Sequence, residues 1–502
     1  MAQDNIDPYL VQFAPDDKEN PKNWSRRRRW YLTYFAGLLG FNATFASSAP
    51  SGIATQLMAQ FKLSEEVAAL TISLFVAGYC VGPLFWGPLS EQVGQLSSWN
   101  KIFLTRVIFL VTFPVYVCFQ VGCALSKNTA SIIVFRLLGG LFAAAPLTNS
   151  GALISDIWDA KTRGKALALF TLAPFVGPAL GPLVGGYIAQ SGTPWPWLFW
   201  VLTIFAAVCF VLIYFTLPET YAPIVLLHRA KQLRLETGDE RYHAPLELVQ
   251  QKQLHKRLED SLARPFKILI CEPMLIAVTA YMSFVYGCVY LLFEAYPVVF
   301  TGGHTFSARY FATFRTQIVF IFALGDLGLT YLPLVAGSIL GVFGYLLIFH
   351  PQYEAAMDRH KAGLVSPEIR LNLAMSGAPL FAITFFWFGW TSYPSISYWA
   401  PMMAGALMGL SSIWIFVRTF FHFCIDVYLI AAASALAANT VFRSAAGAVF
   451  PLFASQMYTA LDPRWASTLL GCIACMMIPI PIVLKRYGPT LRARSRFAPA
   501  LV

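Results

Sequence analysis

The sequence predicts an all-α membrane protein that crosses the bilayer twelve times. Of its 502 residues, 57% are hydrophobic and only 12% are charged, where soluble domains carry about 25% charged residues. Mean hydropathy is +0.60. Apolar runs long enough to cross the hydrocarbon core as helices, about 20 residues each, recur along the whole chain. One long charged stretch interrupts them.

Residues 1–29 are polar and end in Arg26-Arg27-Arg28-Arg29. No short apolar region with a cleavage site precedes these arginines, so no removable signal peptide is expected. Apolar runs follow at 30–50, 66–86, 102–125, 129–151, 165–190 and 196–217. A hydrophilic connector occupies 218–270. Six more runs lie at 273–300, 317–349, 371–393, 399–424, 427–456 and 464–484. The expected organisation is a segment 1–29, a six-span half 30–217, the connector 218–270, a second six-span half 271–484 and a tail 485–502.

The 36 Lys and Arg residues set the orientation. Only Lys62, Lys127, Arg309, Arg315 and Arg464 fall in loops opposite the N-terminus, and Arg136 and Arg443 fall within spans. The positive-inside rule then places both termini in the cytosol. The net charge of +11 is a topology signal and an attraction to anionic inner-leaflet lipid; it calls for no nucleic acid. The nine cysteines lie in apolar stretches, which is no disulfide framework, and Cys472-x-x-Cys475 inside an apolar run is a poor metal or redox pair. No phosphate-binding loop argues for an ATP-driven pump, and no metal or nucleophile constellation argues for an enzyme.

The fifth span reads Ala173-Pro-Phe-Val-Gly177-Pro178-Ala-Leu-Gly181-Pro182-Leu-Val-Gly185-Gly186. Gly177, Gly181 and Gly185 recur every four residues and make one smooth stripe on a helix, which lets a neighbouring backbone come close. Pro178 and Pro182 remove helix hydrogen bonds and bend the rod. Ordinary helix packing explains a lone pair of such glycines; the tripled stripe with interleaved prolines points to a moving interface.

This segment resembles the antiporter signature of the major facilitator superfamily. From about Asn20 to about Pro499 the chain resembles that superfamily's fungal twelve-span drug:proton antiporters. The stretches Asn20-Pro-Lys-Asn-Trp24, Pro218-Glu219-Thr220-Tyr-Ala-Pro223, Asn439-Thr-Val-Phe-Arg443-Ser and Arg464-Trp-Ala-Ser-Thr-Leu-Leu-Gly-Cys472 agree with it. The resemblance implies two six-helix bundles that rock about a central site. It also implies a monomer that moves a small molecule against protons, with the proton gradient as energy source and no cofactor. Such a protein is expected in the plasma membrane, with the vacuolar membrane as the alternative. Export of drugs, polyamines or a secondary metabolite is the leading expectation. A proton-coupled importer or facilitator is the alternative within transport. A transporter-like sensor is a third reading, which the short tail after the last span disfavours.

Three ionisable residues within spans are the candidates for proton coupling. Arg136, in Arg136-Leu-Leu-Gly139-Gly140-Leu-Phe142-Ala-Ala144, is similar to a family pattern linked to that role, although Phe142 replaces a glycine. An arginine at mid-span costs ~2.5–3.5 kcal/mol on insertion scales, so it calls for a reason; a simpler reading has it snorkel at an interface. Glu294, in Leu-Leu-Phe-Glu294-Ala-Tyr-Pro297, is the clearest carboxylate in a span. A carboxyl taken out of water holds its proton more readily, which suits proton exchange; a structural ion pair with Arg136 or Arg443 is the other reading. Asn42, Tyr286, Phe293, Trp387 and Asn439 are the candidates for a substrate pocket. The ninth span's Phe385, Phe386, Trp387, Phe388, Trp390 and Tyr393 would line such a pocket or form an interfacial belt.

Two places depart from the family plan. After the second span, Gly87, Leu89, Glu91 and Gly94 match the superfamily's loop signature, but Gln95 and Leu96 stand where a basic pair is usual. By resemblance that pair latches the cytosolic side, so the latch is expected to be weak or supplied by Lys101 or Arg106. The stretches about 94–106 and 308–325 also read as extra chain. The run 317–349 would reach ~50 Å as a helix, against a ~30 Å core. Misplaced exon boundaries would produce both stretches, and a real re-entrant segment is the alternative.

Overall fold

The protein is described here from a computed structural model. The structure describes residues 7–14, 16–96, 104–159, 162–248, 254–303, 326–359, 367–416, 423–428, 432–495 and 497. Among the described residues, twelve helices follow the expected spans. The first six are α1 (Arg26–Ser48), α2 (Glu65–Leu96), α3 (Leu104–Ala124), α4 (Thr129–Ile157), α5 (Ala173–Gln190) and α6 (Pro196–Thr216). The second six begin with α7 (Pro273–Tyr296), α8 (Leu332–Gly344), α9 (Leu371–Thr391) and α10 (Trp399–Phe416). The continuous helix Ala432–Met477 breaks at Asp462, whose φ of 65° is left-handed and which precedes Pro463. That kink separates α11 (432–461) from α12 (463–477). The expected excess chain at 308–325, and Lys101 with its neighbours at 97–103, lie outside the described residues.

Local chemistry explains where the helices start. The Ser25 and Asn128 side chains accept from the backbone N–H groups of Arg28 and Ser131 at the N-termini of α1 and α4, which satisfies donors the helix cannot. Pro196 and Pro273 open α6 and α7 at the position where a missing N–H is harmless. The bilayer dictates the rest: in hydrocarbon each backbone group must be paired within its own helix. On α6 the residues Trp197, Val201, Ile204, Val208, Val211 and Phe215 form an exposed apolar stripe, while Leu198, Phe199, Leu202, Ala206, Cys209 and Ile213 are buried. An apolar face outside an apolar core marks a helix solvated by lipid.

The two halves use one pairing scheme. In the first half α1 packs on α5, α2 on α4, α3 on α4 and α6. In the second half α7 packs on α11, α8 on α10, and α9 on α10 and α12. This repeat makes two six-helix bundles of the same design. They meet chiefly where α2 faces α11 and where α5 faces α8. With an even number of spans both chain ends lie at one end of the bundles, here the near end; the opposite is the far end.

Outside the bundles, the N-terminal segment docks on the connector. Leu10 bridges to His243, with the Val11 N–H donating to the His243 carbonyl at 2.9 Å. Val11, Leu226, Ala230 and Ala244 share a small apolar core, and Arg229 pairs with Asp17.

Candidate functional site

The fifth-span stripe comes first, because its surroundings differ from the expectation. A Cβ on Gly177 would lie 2.1 Å from Thr44 Oγ1, one on Gly181 2.3 Å from Ser48 Oγ, and one on Gly185 2.5 Å from the Ala49 carbonyl. The stripe therefore faces α1, inside the first bundle, and not the second bundle. It is a close-packed seam within the first bundle, where the stripe was expected to form a moving interface. Pro182 lacks the N–H that would reach the Pro178 carbonyl, and Ser48 Oγ donates to that carbonyl instead at 2.7 Å. Thr44 Oγ1 donates to the Ala173 carbonyl at 2.9 Å. Gly186 faces open space. The face of α5 turned to the second bundle carries Phe175, whose ring meets Phe416 at 4.8 Å, and Leu183, which lies against Gly328.

Arg136 is wholly buried, so it does not snorkel. Its Nε donates to the Thr71 carbonyl at 2.6 Å, and its two terminal nitrogens donate to Ala46 and Ser47 carbonyls at 2.9 and 2.8 Å. Its guanidinium also lies 4.0 Å from the centre of the Phe75 ring. Pro50 has no N–H to reach the Ala46 carbonyl four residues earlier, and Arg136 fills that acceptor. Hydrogen bonds to a charged group contribute about 1.5–3 kcal/mol each, so three of them offset the insertion cost. The geometry makes Arg136 a staple that holds the α1 bend against α2 and α4.

Arg443 has a different setting. It is 7% exposed, and its guanidinium lies 4.8 Å from the Tyr286 ring centre and 5.5 Å from that of Phe416. Both rings stand at the junction of the bundles. Phe416 meets Phe175 of α5, and the Tyr286 ring lies tilted against Tyr290, whose hydroxyl bonds Ser47 Oγ of α1 at 2.8 Å. One turn beyond Arg443, Gly447 sits against both Tyr286 and Val76 of α2. Of the pocket candidates, Tyr286 is at this junction. Asn439 is buried in the second bundle, donating to Thr279 Oγ1 at 3.2 Å. Phe293 packs between Tyr290 and Tyr331. Asn42 is buried on α1. Trp387 departs from expectation: it is 38% exposed, on the outer face of α9, away from the junction. Trp390 is exposed with it, while Phe385 and Phe388 turn inward to a recess they share with Tyr296 and Met408.

Both ends of the junction are closed. At the far end Ser455 donates to Glu65 at 3.1 Å and Gln456 to Glu66 at 2.9 Å, tying α11 to the start of α2. Glu294 lines the same small recess, so it stands with these carboxylates and not in an ion pair with Arg136. At the near end Lys165 Nζ pairs with Glu354 at 3.0 Å, His350 Nε2 lies 3.2 Å from the same oxygen, and Tyr345 meets His350 Nδ1 at 3.2 Å. Lys165 belongs to the helix Arg163–Phe170 that leads into α5, and Glu354 to the helix His350–Arg359 that continues α8, so this pair bridges the bundles. Arg106, expected as a substitute latch, donates to the Tyr214 carbonyl at the end of α6 at 2.7 Å. Gly87, Leu89, Glu91 and Gly94 lie on the last turns of α2, and their side chains lie outside the described part. Among the described residues, two small recesses hold about 200 and 240 Å³ of empty space.

Sequence reasoning did not single out Ser47, Tyr290, Phe175, Phe416, Lys165 or Glu354. Tyr290 carried a signal, since it lies four residues after Tyr286 and so shares its helix face. Lys165 and Glu354 carried none, because nothing in one loop names its partner in another.

Comparison with known proteins agrees with this architecture. The profile of the Major Facilitator Superfamily matches residues 31–451. A transporter of the ascochitine biosynthesis cluster of Didymella fabae is 37% identical over 500 residues, covering 99% of this chain and 90% of that protein. A major facilitator superfamily multidrug transporter of Aspergillus fumigatus is 36% identical over 493 residues, covering 98% of this chain and 76% of that one. Among solved structures, the xylose transporter XylE of E. coli matches in fold with a TM-score of 0.57 at 18% identity, covering 91% of this chain and 99% of that one. With the twelve-helix, two-bundle architecture, these matches establish that the chain belongs to the major facilitator superfamily and is a membrane transporter, not an enzyme.

Proposed function

We propose that this transporter exports a small molecule from the cytosol in exchange for protons, by alternating access. The observation that carries the reading is the pair of closures at opposite ends of one bundle junction. Glu65 and Glu66 bind Ser455 and Gln456 at the far end, and Lys165 binds Glu354 at the near end. A carrier needs two gates, so that one end opens while the other stays shut. In this reading the bundles 30–217 and 271–484 rock as units about the connector 218–270, as a monomer. The near end faces the cytosol, which the Lys and Arg distribution favours, and the plasma membrane is the site of action.

Glu294 is the proton carrier of this scheme. It shares the far-end recess with Glu65 and Glu66, so a proton from outside reaches it when that gate parts. The names of the relatives, a multidrug transporter and a transporter of a biosynthetic cluster, support drugs or a secondary metabolite as cargo. The test is expression in an efflux-deficient yeast challenged with a compound panel, with and without a proton uncoupler. Resistance that the uncoupler abolishes is expected, as is its loss in Glu294→Gln at equal expression. Accumulation of the compounds in place of exclusion would overturn export. Full uncoupler-sensitive resistance in Glu294→Gln would overturn the role of this residue.

A further inference from the structure

We propose that the helix leading into α7 binds anionic phospholipid headgroups in the leaflet at the near end. That helix spans Leu254–Cys271, and the side chains of residues 262–271 are described. At ~3.6 residues per turn they divide into three faces. Pro265, Ile268 and Leu269 are buried. Phe266 and Ile270, 37% and 77% exposed, form a second face that is apolar and open. Arg264, Lys267 and Cys271 form a third, which is exposed and polar. A helix on a protein in water has two faces to satisfy, one toward the protein and one toward solvent. An open apolar face beside a cationic one calls for a third medium, and next to a membrane span that medium is hydrocarbon. The Phe266 ring meets that of Phe442, 43% exposed on α11, at 6.5 Å. The apolar face of the helix therefore continues the lipid-facing surface of a span, and its cations stand where headgroups lie.

Charge decides which headgroup. Of the acids on this helix and the elements around it, Glu272 is buried and accepts from Ser495 Oγ at 2.7 Å. Glu91, Glu259, Asp260 and Asp426 have side chains outside the described part. Among the described residues Arg264 and Lys267 hold no carboxylate. Arg494 is exposed and next in chain to Ser495, so it brings a third cation to the end of the helix. Each cation near an anionic bilayer surface raises affinity by roughly fivefold. An acidic protein segment would satisfy the cations and leave Phe266 and Ile270 uncovered. A phospholipid supplies a phosphate and an acyl chain together, side by side as the two faces are. The net charge of +11 attracts anionic lipid in general; this helix gives it a place, where the connector enters the second bundle.

The test titrates the full-length protein in detergent micelles with dioleoyl phosphatidylserine or dioleoyl phosphatidylcholine and reads thermal unfolding. Phosphatidylserine is expected to stabilise the wild type saturably and at the lower concentration. In Arg264→Gln/Lys267→Gln its half-saturating concentration should rise at least about tenfold. The same loss of one charge at the far end, Lys127→Gln, should leave it unchanged. An equal response to both lipids, or an unchanged midpoint in the double variant, overturns the assignment. Glycerophosphoserine or a polyglutamate peptide that stabilises as well as the lipid gives the face to a soluble anion or an acidic protein, and also overturns it. If the double variant does not fold, Arg264→Gln is compared with Arg264→Lys. A rise of about fivefold is expected in the first alone, and equal midpoints overturn the assignment. Micelles have no sides, so the result is independent of export and of which end faces the cytosol.

Discussion

The two arginines inside the membrane make an instructive pair. Both are buried within membrane spans. Arg136 spends three donors on backbone carbonyls of its own bundle, one of them left open by a proline. Arg443 stands by aromatic rings where the bundles meet. A buried charge that completes the backbone of its own unit supports the fold. One placed where the two bundles meet stands at the contact between them.

The largest effect that tests this contrast is on folding. Arg136→Gln leaves the Ala46 carbonyl without its donor, and breaking a buried charged network costs about 3–5 kcal/mol. Little folded protein is expected in fluorescence-detected size exclusion after mild heating. Arg443→Gln should elute as a sharp peak and unfold within a few degrees of the wild type. Equal loss of folded protein in both variants would erase the distinction. Pro50→Ala sharpens it, because a restored N–H can reach the Ala46 carbonyl, and Arg136→Gln should then be less damaging in that background than alone.

The same logic without charge gives a smaller effect. Ser48→Ala removes the donor to the Pro178 carbonyl, and an unsatisfied buried group costs about 1–3 kcal/mol. The melting temperature should fall by several degrees, and Pro182→Ala should recover most of the loss by restoring the helix's own bond. A Ser48→Ala protein that melts as the wild type does would mean that the α1–α5 seam needs no such donor.

These comparisons also show how far the sequence could be read. The spans were legible because hydrocarbon imposes a length and an apolar composition that one sequence displays. The Gly177, Gly181 and Gly185 stripe was legible as a close approach, but its neighbour was not: a smooth helix face states that a backbone comes near, not which one. Trp387 failed as a pocket residue for a related reason. Lipid and a binding cleft both favour aromatic rings, and only the rotation of α9 separates its outward face from the Phe385 and Phe388 face. Arg136 was legible as costly. Its purpose depended on Pro50, some ninety residues away in sequence, leaving an acceptor open at the place where α4 passes.

A third arginine, in water, extends the series to its weak end. Arg229 pairs with Asp17 and fixes the N-terminal segment to the connector. Its side chain is 38% exposed, and pairs of that kind contribute about 0.2–1 kcal/mol. The Glu19 backbone N–H, with Arg229, holds the Asp17 carboxyl below its ordinary range. The sign of the pH dependence follows. A carboxylate with a lowered folded-state pKa favours docking fully above its free value of ~3.9, and the contribution is lost as pH falls through the folded-state value. Arg229→Ala should therefore make the segment a faster target for limited proteolysis at pH 7, by a few-fold at most. The excess over the wild type should shrink as Asp17 takes up its proton below about pH 4, measured with an acid-active protease. An excess that persists undiminished at low pH would mean that Arg229 holds the segment through the packing of its aliphatic stem, and that charge contributes at this site neither to the fold nor to its docking.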